Sequence, residues 1–267
     1  MARTARLEAV PPHVAWIAIA PVKGLALLHP ESVRLERFGV RENRRFHLIG
    51  EDGRLLNGKQ LAPLVQVRAE WDEDAGTLAL RFPDGNVLEG EIGLGDEVST
   101  SFYGHRMVDG RLVVGPWSDA ISEFVGQPLR LVQPNEIGAG VDRARGSVSI
   151  LSTGSLRALG QAAGVSEPVD PRRFRMLFGV EGVGAHEEDE WVKRRVQIGE
   201  AEVEVLGNTG RCLVTSRHPE SGARNLPTLD VLAEYRGNAN TTERLAFGVW
   251  GAVTKPGVVR LGDPVVA

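Results

Sequence analysis

Cysteine is almost missing from this chain: Cys212 is the only one in 267 residues. A single thiol excludes an intramolecular disulfide framework and zinc sites built from cysteine pairs, and it fits a reducing, cytoplasmic setting. Long apolar runs are missing as well. No segment approaches the roughly 18 apolar residues that a bilayer span needs, so a soluble chain with no membrane partner is expected. Arg3 and Arg6 followed by the apolar Val14 to Ala20 resemble a secretion signal only superficially, because Glu8, Pro11, Pro12 and His13 interrupt the pattern. That run reads as a strand. Surplus positive charge is absent too: a net charge of −4 gives no global reason to expect nucleic acid as a partner. Any bound anion must then be held by a local cluster.

Familiar catalytic signatures are also lacking. The chain has no Gly-Lys-Ser/Thr of a phosphate-binding Walker loop, no glycine-rich nicotinamide fingerprint after its first strand, and no Gly-x-Ser-x-Gly elbow. Its six histidines include no His-x-x-x-His pair of the kind that holds zinc on a helix.

What is present is glycine, 32 residues of it, with regular turn signals between short runs of valine, leucine and isoleucine. This predicts a mostly β (α+β) protein with a few short helices. Asp52-Gly53 and Asp84-Gly85 supply the positive φ of tight turns, so Phe46–Ile49 with Arg54–Leu56 and Leu78–Phe82 with Asn86–Leu88 read as hairpins. Helices are expected from Ser118, as cap, to Val125, after Thr153, after Asp170-Pro171, and from Pro227 to Tyr235. Further strands are expected at 129–132, 148–151, 176–180, 196–205, 212–216 and 246–253. A domain boundary is placed near residue 127, giving a β-rich unit over 1–127 and a second over 128–267, with the charged stretch 134–146 as a loop or lid.

Chemistry has few places to reside. Cys212 follows Arg211 and can be a sulfur ligand for a metal, a nucleophile, or a small buried hydrophobe. Lys23, Arg44 with Arg45, Lys59, and the dense group Arg172, Arg173, Arg175 lie at strand ends, where they either converge on a phosphate or carboxylate or stand singly in solvent. Ser152-Thr153-Gly154-Ser155 joins a strand to a helix and suits either anion binding or ordinary capping. His186 to Trp191 offers hard-metal ligands or a solvated polar loop.

Taken in order, these segments resemble the MOSC family (molybdenum cofactor sulfurase C-terminal domain) preceded by the MOSC N-terminal β-rich domain. The residues that carry the resemblance are Pro21-Val22-Lys23, Arg45-Phe46, Leu56 to Gln60, Ile150-Leu151-Ser152, Arg173-Phe174-Arg175, Glu187-Glu188-Asp189 with Trp191, Gly210-Arg211-Cys212, Phe247-Gly248 and Pro256 to Val265. The resemblance implies a MOSC-type β-barrel domain over 128–267. Within the family the chain is similar to the amidoxime reducing components and their bacterial relatives, which reduce N-hydroxylated compounds at a molybdenum cofactor. It implies Cys212 as the molybdenum ligand and catalytic residue, with Lys23, Arg45, Ser152, Thr153, Arg173, Arg175 and Arg211 around the molybdopterin. The expected partners are then a small-molecule substrate and a separate electron-donor protein, because the chain lacks the four cysteines of an iron–sulfur cluster of its own. The family name also implies an alternative, sulfur transfer through a Cys212 persulfide. Three positions differ from the family pattern: Gly24 stands where serine is common, Lys59 where arginine is usual, and Met176 follows Phe174-Arg175 where proline and asparagine are typical. These differences motivate a third reading, a MOSC-fold binding module without the cofactor.

Overall fold

The computed structural model describes residues 10–267, so the expectations concerning Arg3, Arg6 and Glu8 lie outside the described residues. Its largest sheet has seven strands, in the order His13–Ile17, Phe178–Glu181, Val148–Ser152, Ala246–Lys255, Ala201–Gly210, Arg195–Ile198 and Val265–Val266. The two ends of this order meet. His13 bridges Pro264, and Val265 N–H donates to Pro12 O at 2.9 Å, so the sheet curls into a nearly closed barrel. The strand Ala201–Gly210 shows why: its glutamates and valines alternate outward and inward, and Val196 registers with Val203 across the neighbouring strand. Val14, Phe178, Ile150, Val249, Val205 and Ile198 fill the interior.

A five-stranded sheet joins Leu55–Leu56, His47–Ile49, Arg130–Pro134, Arg106–Val114 and Gly93–Phe102, and Arg68–Asp72, Thr77–Arg81 and Val87–Glu91 form a further meander. Both hairpins expected at Asp-Gly are present, with Leu48 opposite Leu56 and Leu80 opposite Leu88. Sheets cross residue 127 in both directions. Arg130–Pro134 pairs with strands of the first half, while His13–Ile17 belongs to the barrel of the second.

Among the described residues three α-helices pack against the sheets: α1 (Trp117–Val125), α2 (Thr153–Ala162) and α3 (Thr228–Arg236). The expectation that Ser118 caps α1 is not met; it lies inside the helix, which starts one residue earlier, and its hydroxyl accepts from Leu131 N–H at 3.0 Å. No helix among the described residues is long and apolar enough to cross a membrane.

The segment 212–216 is a 3-10 turn, Leu213–Ser216, instead of the expected strand. The ladder between Ala201–Gly210 and Ala246–Lys255 ends at the pair Gly210 and Ala246, beside Leu245, whose φ is 51°. With its ladder partner turned away, the chain folds back, and Cys212 O accepts from both the N–H and the hydroxyl of Thr215.

Candidate active site

The turn after the first strand places Lys23. Its N–H donates to Phe46 O at 2.8 Å, which lays residues 21–25 against residues 43–46. Arg44 sits between them with φ 56°, so the alternation expected of a strand is broken at that residue. Its side chain and that of Arg45 therefore diverge. Arg44 donates to Asn43 Oδ1 and to Arg175 O, whereas Arg45 donates to Pro134 O at 2.7 Å.

Arg175 also adopts a left-handed conformation, ending the short 3-10 helix Pro171–Phe174. Its guanidinium donates to Leu25 O at 2.6 Å, and burial lowers its pKa. Arg173, only 8% exposed, donates to Arg217 O and Asn225 Oδ1. Arg211 turns its fork to Phe247 O and Phe174 O and stacks over the Phe174 ring.

All of these side chains except that of Arg45 line one cavity of about 350 Å³. Its lining contains Lys23, Arg44, Lys59, Arg143, Arg173, Arg175 and Arg211, seven cations, against one carboxylate, Asp142. Cys212 is part of the same lining, and its thiol is exposed. Most of the guanidiniums bond to carbonyl or amide oxygens, which orient the fork but leave its charge uncancelled.

The stretch 134–146, expected as a loop or lid, forms one wall and is fastened to both sides. Lys23 Nζ donates to Gly140 O at 3.1 Å and to Asp142 Oδ1 at 2.5 Å, Arg106 donates to Ala139 O and Val141 O, and Arg143 pairs with Glu243. The other Glu243 oxygen accepts from Gly210 N–H, two residues before Cys212. Burial lowers the Lys23 pKa to about 8, against the raising effect of Asp142. Burial raises the Asp142 pKa, but Lys23 and Arg44 outweigh it and hold the carboxyl well below its usual range. Tyr103, with φ 54°, donates its hydroxyl to the same Asp142 oxygen at 2.9 Å; burial and then that carboxylate push the phenol upward.

Of the residues expected from the sequence, Lys23, Arg173, Arg175, Arg211 and Cys212 converge. Arg45, Ser152 and Thr153 do not line the cavity. Ser152 caps α2 by accepting from Ser155 N–H, and Thr153 is the first residue of that helix. The segment 187–191 is not a solvated loop: Glu188 is fully buried and accepts from Ser152 N–H and the Ser155 hydroxyl, while Asp189 binds Asn208 and Arg236. Arg44, Tyr103, Asp142, Arg143, Ser147 and Thr209 join the site beyond the expected set. Apart from Arg44, only the charged composition of 134–146 marked any of these six, at Asp142 and Arg143.

The site suits an anionic ligand that also uses a thiolate. The uncancelled cations supply charge, and the Ser147 and Thr209 hydroxyl oxygens are buried in its lining without a hydrogen-bond partner. The volume lies within the range of small-molecule and cofactor sites. Two of the three family differences are accommodated. Gly24 has φ +95°, a Cβ there would lie 3.2 Å from the Asn57 backbone, and Met176 is buried with its sulfur beside the Arg211 guanidinium.

A model of the MOSC domain matches residues 120–266, and a model of the MOSC N-terminal beta barrel domain matches residues 12–129. The chain is 25% identical to mitochondrial amidoxime-reducing component 1 of Xenopus laevis, over 94% of this chain and 81% of that protein. Against the protein of the same name from Homo sapiens the identity is 24%, over 94% and 82%. It is 27% identical to the molybdenum cofactor sulfurase of Oryza sativa subsp. japonica, over 89% of this chain but only 32% of that protein.

Proposed function

This chain belongs to the MOSC family, and from that premise we propose that it binds a molybdenum cofactor and reduces N-hydroxylated small molecules, with Cys212 as the metal ligand. The observation that carries the reading is the exposed Cys212 thiol on a cavity whose lining holds seven cations and one carboxylate. A phosphate-bearing, thiolate-ligated cofactor answers both features.

In this reading Lys23, Arg44, Arg173 and Arg175 hold the anionic end, while Ser147 and Thr209 offer their free hydroxyls to its polar edge. Arg211 acts from beneath, fixing the Phe174 and Phe247 carbonyls and so the turn that presents Cys212. The 134–146 wall excludes water from one side through Asp142 and Arg143. When bound, the cofactor supplies two-electron reduction of an N–O bond; the protein supplies ligation, orientation and charge. The electrons come from a separate donor protein. The two units 1–127 and 128–267 would each provide part of the cavity, Lys23 and Arg44 from the first and Arg175 and Cys212 from the second.

A second reading, sulfur transfer through a Cys212 persulfide, is favoured by the exposure of the thiol and by the similarity to a molybdenum cofactor sulfurase. One preparation from a cofactor-making host separates the two. Stoichiometric molybdenum and pterin, lost in Cys212→Ser, support the reductase. A sulfur-sized mass adduct without metal supports the carrier. A folded chain with neither removes both and leaves the binding module.

A further inference from the structure

A second cavity of about 290 Å³ adjoins the first, sharing Val65, Arg173, Arg175 and Val214 as a common wall. Arg172, Arg217, His29, His218 and Glu220 add charged and imidazole groups to its lining. None of these five lines the larger cavity, so the cofactor reading gives them no role.

The charges do not cancel. Both nearby carboxylates, Asp170 and Glu220, are taken up by Arg172, at 2.6 and 2.8 Å. Arg173, Arg175 and Arg217 have only carbonyl or amide acceptors, and Arg217 Nε is buried with no partner. Four guanidiniums against two carboxylates leave two positive charges in excess, and two of the four, Arg173 and Arg175, are shared with the larger cavity. Arg173, 8% exposed, is held at this wall away from water. Buried cations in this state gain most from an added anion.

The hydrogen-bonding groups narrow its chemistry. His218 Nδ1 accepts from the N–H groups of Glu220 and Ser221, which assigns the ring proton to Nε2 and makes that nitrogen a donor. His29 Nδ1 faces Ile17 O at 3.2 Å, so its proton lies there and Nε2 is an acceptor. Together with the Glu220 carboxylate, this lining offers acceptors as well as cationic donors. An oxyanion that carries its own proton is matched better than one without. The volume is close to the lower end of small-molecule sites and has room for a tetrahedral group together with the small organic group of a monoester.

We propose that this second cavity is a binding site for a hydrogen phosphate group, free or as a small monoester, and that it discriminates against sulfate. The site is tested in the full chain with ¹⁵N-labelled histidine, titrating inorganic phosphate, sulfate and glycerol phosphate while following the imidazole resonances. Saturable shifts of His29 and His218 with phosphate or glycerol phosphate are expected, and the tighter of the two names the source. Sulfate should bind at least about tenfold more weakly. Arg217→Gln, checked for an unchanged circular dichroism spectrum, should weaken phosphate by about tenfold or more. No saturable shift of either histidine in the wild-type chain, or equal affinity for sulfate, overturns the proposal.

Discussion

Lys23 Nζ lies 2.5 Å from Asp142 Oδ1, joining the turn after the first strand to a residue 119 positions later in the sequence. The pair is unequal, since the Lys23 side chain is 6% exposed and that of Asp142 is 51% exposed. Burial therefore dominates at the lysine, which releases its proton near pH 8 in the folded chain instead of at the ordinary 10.5. Between those values the unfolded chain binds more protons, so this site's contribution to stability is lowest below pH 8 and rises across that window. The slope is at most roughly 1.4 kcal/mol per pH unit. Lys23→Met should remove the rise. Urea unfolding of both proteins from pH 7 to 10 checks it, and parallel curves would count against it.

Gly24 explains one family difference through backbone geometry. At φ +95°, with a prospective Cβ 3.2 Å from Asn57 Cα, serine brings strain before its hydroxyl contributes anything. Gly24→Ser should destabilise by about 1–3 kcal/mol and leave anion binding in the cavity no tighter. Thermal unfolding together with a phosphate titration reads both effects; an unchanged midpoint would sink the argument.

The parts of the fold written in alternation and turn chemistry were legible from the sequence. Asp52-Gly53 and Asp84-Gly85 announce their hairpins, and Glu202-Val203-Glu204-Val205 announces a half-buried strand. The site was legible only where ordered motifs carried it, at Lys23, Arg173, Arg175, Arg211 and Cys212. Arg44 replaces Arg45 because a left-handed residue reverses which side chain faces inward, and no pattern of period two contains that reversal. Tyr103 is hidden for the same reason, at a hairpin tip with φ 54°. Asp142 belongs to the site through a contact that spans the chain, and Ser152 leaves it because local capping claims its hydroxyl.

Arg211 precedes the thiol, yet its fork serves the backbone. Its donors reach Phe247 O and Phe174 O, and its plane stacks on the Phe174 ring. Lysine keeps the charge but offers neither the planar fork nor the stacking. Arg211→Lys should cost about 2–4 kcal/mol, because buried carbonyls lose their donors. The test is whether this variant melts lower than Lys59→Ala, which removes a cation from the same lining at an exposed position. Equal melting temperatures would return Arg211 to the role of a simple charge.

Glu188 is the fully buried carboxyl at the start of α2, with one oxygen accepting from Ser152 and Ser155 and the other without a partner. Burial raises its pKa above the ordinary 4.5, so the folded chain holds a proton that the unfolded chain releases. Stability from this group is then fully present below the ordinary value and declines as pH rises toward the folded value. Glu188→Gln keeps the shape and the acceptor while removing the titration. The difference in melting temperature between wild type and this variant should move in the variant's favour from pH 4.5 upward. Glu188→Ala should instead lose about 2–3 kcal/mol at every pH, since the Ser152 N–H and Ser155 hydroxyl are left without their acceptor. A wild-type-minus-Gln difference that stays flat with pH would mean that Glu188 remains ionised in the folded chain.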